Sequence, residues 1–182
     1  WVIRMGDPSM TPLEPMENVI DYATGPAKSE WMDVFLCAAC RFFIGTNSGL
    51  GMVPLSFGVP TIQTNMLPVS FFTTLDDDLF IHRIIRRKED GAPLSIREMF
   101  SPPYINNHNA KALDGLGVEL KPNTPEEITA VVQEMMDRLD GRPYAQEEND
   151  LVKRYYEASS YRDLHSHGRP GQLFIKNHEL LY

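Results

Sequence analysis

The chain has little cysteine: Cys37 and Cys40 are the two in 182 residues. That excludes a framework of several disulfides and a four-cysteine zinc site. The C-x-x-C spacing leaves a redox couple, half of a mixed zinc site, or two small buried side chains. A redox pair opens a helix, where the positive helix end favours the thiolate. Here the apolar run Trp31-Met32-Asp33-Val34-Phe35-Leu36 comes first, so the pair falls late in a helix and reads as core. Long apolar runs are also missing. No stretch approaches the roughly 20 apolar residues of a membrane span, and no secretory leader is legible, so the expected location is cytoplasmic. An excess of positive charge is absent as well. A net charge of −8 and a pI near 5.1 weigh against a nucleic-acid backbone or an anionic membrane as partner. The one basic cluster, Arg83-Ile84-Ile85-Arg86-Arg87-Lys88, is offset at once by Glu89-Asp90.

What is present is a globular composition, 42% hydrophobic and 23% charged, on a length that supports one domain with a real core. The chain starts with Trp1 inside an apolar run, which suggests a piece of a longer protein. Val2-Ile3 reads as a strand running into a loop held extended by Pro8, Pro12 and Pro15. Asn18 to Tyr22 is a second strand, closed by Thr24-Gly25-Pro26. Ser29 caps a helix from Glu30 to Ala39, with Trp31, Val34, Phe35 and Ala38 at helical spacing. Phe42 to Ile44 is a third strand, Leu50 to Phe57 a short helix that tolerates Pro54 near its first turn, and Thr61 to Thr64 a fourth strand. Short apolar strands alternating with helices predict a parallel sheet covered on both faces.

The rhythm breaks between Met66 and Leu116, too long a stretch to be passive, which reads as an inserted loop or subdomain. Phe71-Phe72, Asp76-Asp77-Asp78, the basic cluster and Ser101-Pro102-Pro103-Tyr104 lie there. Gly117 to Leu120 is a fifth strand. The clearest helix follows: Thr124 at the N-cap, Pro125 at N1, Glu127 completing a capping box, and an apolar stripe of Ile128, Val131, Val132, Met135, Met136 and Leu139 before Gly141. A last helix spans Gln146 to Ala158. Residues 145–182 form this helix and a tail that ends in Leu173-Phe174-Ile175 and Leu180-Leu181-Tyr182.

The chemistry concentrates in Gly45-Thr46-Asn47-Ser48-Gly49, between the third strand and the short helix. Ligands of open parallel sheets bind outside the carboxyl ends of the strands. Small residues there let a phosphate approach backbone N–H groups, and Thr46 and Ser48 add hydroxyl donors. The segment is neither a P-loop nor a G-x-G-x-x-G fingerprint. The competing reading is a strand-to-helix turn that needs glycine for its shape and serine for its cap. Arg4 ends the first strand and so is expected on the same rim, where a guanidinium could clamp a phosphate or simply be a surface charge.

Other candidates read as structure. Asp76 to Asp78 could suggest a metal-binding D-x-D but fits a loop of solvated carboxylates or a helix start. The basic cluster could reach a phosphate but fits a solvated helix face. His108, His165 and His167 have no partner spacing that signals a triad or metal site, His82 alternates with apolar residues and suits partial burial, and nothing distinguishes His178.

Phe43 to Gly49, a small helix and Gly58-Val59-Pro60-Thr61-Ile62 together resemble the donor-binding half of GT-B glycosyltransferases. They are most similar to the heptosyltransferase-type phosphate loop, strand, Gly-Asn-Asp-Ser/Thr-Gly-Pro, helix, Gly-Val-Pro. Nearly the whole chain resembles the C-terminal part of a family of bacterial glycosyltransferases associated with surface polysaccharide synthesis. The matching stretches are Trp1 to Asp7, Trp31 to Gly49, Gly58 to Pro68, Asp77 to Ile81, Leu94 to Tyr104 and the tail. The resemblance implies an α/β Rossmann-like domain, 1–182, that binds a nucleotide-diphosphate sugar and lacks its first strand and helix. Gly45, Thr46, Asn47, Ser48 and Gly49 would hold the donor diphosphate, with Arg4 as a second anion contact. Tyr22 to Thr24 and Thr64 to Asn65 would border the base or sugar. A glycan or other hydroxyl compound would be the acceptor, with no cofactor and no metal. The N-terminal domain of the parent would be a partner and would carry any catalytic base, so this fragment alone is expected to be inactive. Asn47 stands where the heptosyltransferase pattern has Asp, so contact details do not carry over. A truncated sheet domain exposes apolar surface, which suits homo-oligomerisation. The alternatives are a GT-B-like sugar-nucleotide epimerase and a non-catalytic nucleotide- or protein-binding module.

Overall fold

A computed structural model describes residues 1–71, 73, 75–159 and 167–178. Phe72, His165 and the tail residues Leu180 to Tyr182 lie outside them. The chain forms two compact units, Trp1–Arg41 and Phe42–Tyr182.

The first unit holds β1 (Val2–Arg4), β2 (Val19–Asp21) and α1 (Glu30–Ala39). Among the described residues β1 and β2 pair only with each other, in parallel, with Arg4 opposite Asp21. Ser29 caps α1 by accepting from the Met32 amide. Cys37 is buried in the last turn of α1 and Cys40 follows as its C-cap; both are free thiols. Burial pushes the Cys37 thiol up to about 11 and raises Cys40, so neither is a thiolate near neutrality. The pair is therefore structural in character.

The second unit is α/β, with a four-stranded parallel sheet flanked by helices. Its strand order is β3 (Phe43–Gly45), β4 (Thr61–Met66), β5 (Leu79–His82) and β8 (Arg169–Pro170). β4 and β5 are almost wholly buried, as strands of a sheet covered on both faces are, although β4 carries the polar Thr61, Gln63, Thr64 and Asn65. Between β3 and β4 lies α2 (Met52–Ser56), shorter than its expected span of Leu50 to Phe57. β5 is an inner strand of this sheet and belongs to 66–116, so that stretch is not merely an insert. Asp78 ties the start of β5 to β4. Buried before β5, its carboxylate accepts from the Thr61 amide at 2.7 Å, the Thr61 hydroxyl at 2.9 Å and the Leu75 amide at 2.9 Å. This corrects the expectation of three solvated carboxylates.

Two further corrections fall in the same stretch. The basic cluster is not a helix face: it forms β6 (Ile84–Arg87), with Ile84 and Ile85 buried. The expected fifth strand exists as β7 (Val118–Lys121), but it pairs antiparallel with β6 in a separate two-stranded sheet. β-branched and apolar residues on both segments suit a strand, and the pairing partner is set by tertiary contact. The short helices α3 (Ile96–Met99) and α4 (Ala110–Gly115) connect them.

α5 (Pro125–Leu139) begins with the expected Thr124–Glu127 capping box and buries Val131 and Met135. α6 (Gln146–Ala158) follows, and α7 (Gln172–Asn177) buries Phe174 and Ile175 of the expected tail. The core centres on β5. Phe80 and His82 meet Tyr155 of α6 at ring distances of 5.9 and 6.0 Å. His82 is fully buried, more than expected, with Nε2 against the Tyr155 hydroxyl. Burial lowers its pKa to about 3, so the ring is neutral.

Candidate functional site

The Gly45-Thr46-Asn47-Ser48-Gly49 loop leaves β3 at the carboxyl edge of the four-stranded sheet, where such sheets place ligands. Glycine is needed nearby for shape: a Cβ on Gly51 would lie 3.2 Å from the Thr46 carbonyl oxygen and 3.3 Å from that of Ser48. The loop curls back tightly, and the Ser48 amide donates to the Thr46 carbonyl at 2.7 Å. α2 starts beyond the loop and has only five residues, so its dipole is small. An anion at this loop would be held by loop amides and hydroxyls rather than by a helix end.

Those groups are available. Thr46, Ser48 and Gly49 are exposed. Among the described residues, nothing accepts from the amides of Asn47, Gly49 and Leu50, and no hydrogen bond occupies the Thr46 or Ser48 hydroxyl. Asn47 has a different task. Its side chain bridges the backbone of Leu67, donating to the carbonyl and accepting from the amide at 3.5 Å. Thr64 Oγ1 donates to the Gly45 carbonyl at 3.2 Å. The loop is thus fastened at its base and open at its tip.

The rest of the rim is also fastened. Asn65 holds a left-handed backbone (φ +51°), a conformation uncommon for a residue with a side chain. It exchanges side-chain-to-backbone hydrogen bonds with Asn123, which donates its Nδ2 to the His82 carbonyl at 2.7 Å. The ends of β4 and β5 and the start of α5 are tied together by these two side chains. Sequence reading missed Asn123 entirely, because the clamp joins residues 58 apart.

Arg4 lies in the first unit, on a strand that pairs with β2 and not with β3. Its guanidinium donates to Asp21 Oδ1 at 2.9 Å and to the Thr11 carbonyl at 3.1 Å. Asp21 also accepts from the Leu13 amide and the Thr24 hydroxyl, both at 2.9 Å. The Leu13 amide first, then Thr24 and Arg4, hold the Asp21 carboxyl below its ordinary value. Thr24 is thereby committed within this unit. So is Tyr22, whose hydroxyl lies 2.7 Å from Asp33 Oδ1 and accepts from the Ser29 amide at 3.1 Å.

Two surface cavities of about 370 and 350 Å³ occur elsewhere on the second unit. The larger is floored by Glu134, which accepts from the Gln172 amide at 2.7 Å and the Tyr144 hydroxyl at 3.0 Å. Burial raises the Glu134 carboxyl above its ordinary range. The guanidinium carbon of Arg169 sits over the Tyr144 ring, 3.5 Å from its centre. The smaller is lined by Pro102, Pro103, Ile105, Asn106, Asn107 and His108, so His108 sits at a cavity wall without a triad partner among its lining residues. His167 faces Asp76 at 3.2 Å on the surface, and His178 pairs with the buried Glu127 at 2.9 Å.

Among the described residues, no helix is long and apolar enough to cross a membrane. Comparison of the chain with protein-family models, with curated proteins and with solved structures finds no match.

Proposed function

We propose that this chain is the donor-binding part of a glycosyltransferase and takes a nucleotide-diphosphate sugar at the Gly45–Gly49 loop. One observation carries the reading. At the carboxyl edge of a parallel sheet, the amides of Asn47, Gly49 and the adjoining Leu50 and the Thr46 and Ser48 hydroxyls lack acceptors among the described residues, while the loop base is tied down by Asn47 and Thr64. Donors fixed in place and aimed at an anion cost little reorganisation when it arrives. The resemblance of the same loop and of Gly58-Val59-Pro60 to the GT-B donor half supports the choice of ligand.

The chemistry would be attack by an acceptor hydroxyl on the anomeric carbon. The C–O bond to the diphosphate breaks, the nucleoside diphosphate leaves, and the loop donors stabilise the charge on its departing oxygen. An acceptor-side base belongs to the partner domain that the resemblance implies.

A thermal-shift screen against UDP, GDP, ADP, CMP and their sugar conjugates tests the reading, because a ligand that binds only the folded protein raises its melting temperature. One nucleoside diphosphate should stabilise the protein, and Ser48→Ala should weaken that ligand by about tenfold or more, as expected for a lost hydrogen bond to a charged group. Silence across the panel would sink the assignment. Incubation with the donor alone separates the alternative: an epimerase converts the sugar without an acceptor.

A further inference from the structure

Among the described residues, four buried side-chain polar atoms have no hydrogen-bond partner: Gln63 Oε1, His82 Nδ1, Arg83 Nε and Arg86 Nε. The two arginines stand apart, because a guanidinium is always charged and carries five donors. Within the same basic cluster, Arg87 pairs with Glu98 and Lys88 with Asp114. Arg83 and Arg86 form no side-chain hydrogen bond and no ion pair with any described residue. A partly buried cation without a counter-charge is expensive unless an anion visits it.

The two differ in position. Arg86 lies on β6 in the separate two-stranded sheet, its backbone opposite that of Glu119, whose carboxylate pairs with Lys121 at 3.0 Å. Arg83 immediately follows β5, at the carboxyl edge of the four-stranded parallel sheet. Its amide donates to the carbonyl of Met66, the last residue of β4, at 3.3 Å. The next residue, Leu67, is the one that Asn47 of the glycine-rich loop bridges with its side chain. Loop, end of β4 and Arg83 are therefore successive steps along one rim. Neighbouring strands are about 4.8 Å apart, so β3 and β5 are roughly 10 Å apart. A diphosphate and one long guanidinium side chain together span that gap.

We propose that Arg83 is the cationic half of an anion site on this rim and binds phosphate oxygens of the same diphosphate that meets the loop amides. This rests on the reading of the loop given above. A guanidinium suits the task because its planar fork matches two phosphate oxygens at once. Arg83 would fix the end of the diphosphate away from β3, and its charge would balance the negative charge that the loop amides, being neutral, leave uncompensated.

Calorimetric titration with inorganic pyrophosphate, and with the nucleoside diphosphate found by the thermal-shift screen, tests the site. Arg83→Gln should weaken both by at least about tenfold and flatten the salt dependence. Arg83→Lys should recover part of the loss. Arg87→Gln and Arg86→Gln remove the same charge nearby and should change affinity less than twofold. In the wild-type protein, saturating pyrophosphate should protect Arg83, and not Arg87, from an arginine-selective dicarbonyl reagent mapped by mass spectrometry, a readout that needs no variant to fold. Unchanged affinity in Arg83→Gln alongside weakened binding in Ser48→Ala would overturn the Arg83 site and leave the loop assignment standing. Loss in Arg83→Gln with none in Ser48→Ala would overturn the shared diphosphate. An equal loss in Arg86→Gln, or no protection of Arg83, would also overturn it, and a wild-type protein that binds neither probe would end both readings.

Discussion

The two units of this chain are held together by different means. Phe42–Tyr182 has a continuous apolar core, with Phe80, Ile81, Leu79, Tyr155 and Phe174 essentially inaccessible to water. Trp1–Arg41 buries little besides Tyr22, Ala23 and Cys37, and leaves Trp1, Val2, Trp31 and Phe35 exposed. Its order comes instead from two carboxylates used as hubs: Asp21 gathers Arg4, Leu13 and Thr24, and Asp33 gathers Lys28 and Tyr22. An apolar core loses stability in proportion to volume removed. A carboxylate hub loses it with protonation.

The largest test of that contrast is Phe80→Ala, which should cost the second unit about 3–5 kcal/mol in a urea titration followed by far-UV circular dichroism. Both tryptophans, Trp1 and Trp31, belong to the first unit, so tryptophan emission reports on that unit specifically. An equal shift of the emission transition would break the comparison.

Next is the acid response of the larger unit. His82 is held neutral with its pKa lowered to about 3 from an ordinary 6.5. The unfolded chain therefore takes up the proton first as pH falls. The stability this burial permits is complete above pH 6.5 and declines between there and about 3. The slope approaches at most about 1.4 kcal/mol per pH unit. Stability measured in urea from pH 7 to 4 should show it, and His82→Phe should remove that component of the slope even if its baseline is lower.

Smaller effects follow. Thr124→Ala removes the N-cap of α5 and should cost about 1 kcal/mol. Gly51→Ala pushes a methyl group against two loop carbonyls and should cost about 1 kcal/mol while weakening diphosphate binding. The smallest is local: Asp21→Asn should speed hydrogen exchange at the Leu13 amide without moving the global transition of the second unit. In the wild type the same acceleration should appear only as pH falls below the ordinary 3.8, because the folded carboxyl is held lower and its contribution persists until it protonates. Acceleration already at pH 6 would contradict the role given to Asp21.

Much of the second unit was readable because its signals are local. Thr124, Pro125 and Glu127 specify a helix start through bonds within one turn, and the apolar stripe after them has helical period. The span of α6 and the strand either side of Gly45–Gly49 are equally local. The place of β5 was not readable. Leu79-Phe80-Ile81-His82 is too short for its period to be diagnostic, and it is anchored by Asp78, whose partner Thr61 is 17 residues away. The basic cluster misled for a related reason: its charges suggested a solvated helix face, whereas buried Ile84 and Ile85 and pairing with β7 make it a strand.

The candidate site divides in the same way. Gly45, Thr46, Ser48 and Gly49 were identifiable by type and order, since small residues after an apolar strand have few uses. Asn47 was identifiable as a member of the loop but not as its fastening, which depends on Leu67. Arg83 looked like one of four similar cations, and only the structure shows Arg87 and Lys88 neutralised and Arg83 left at a strand end.

The sequence by itself therefore determined the helix starts, the strand segments near the glycine-rich loop, the burial of Cys37 and the loop's chemical character, because each depends on residues within a turn or two of one another. Tertiary structure decided which strands share a sheet, which cations of the basic cluster find carboxylate partners among the described residues and which side chains tie the rim together. Those outcomes depend on pairings between distant residues, and their energies arise only when burial removes water from both partners.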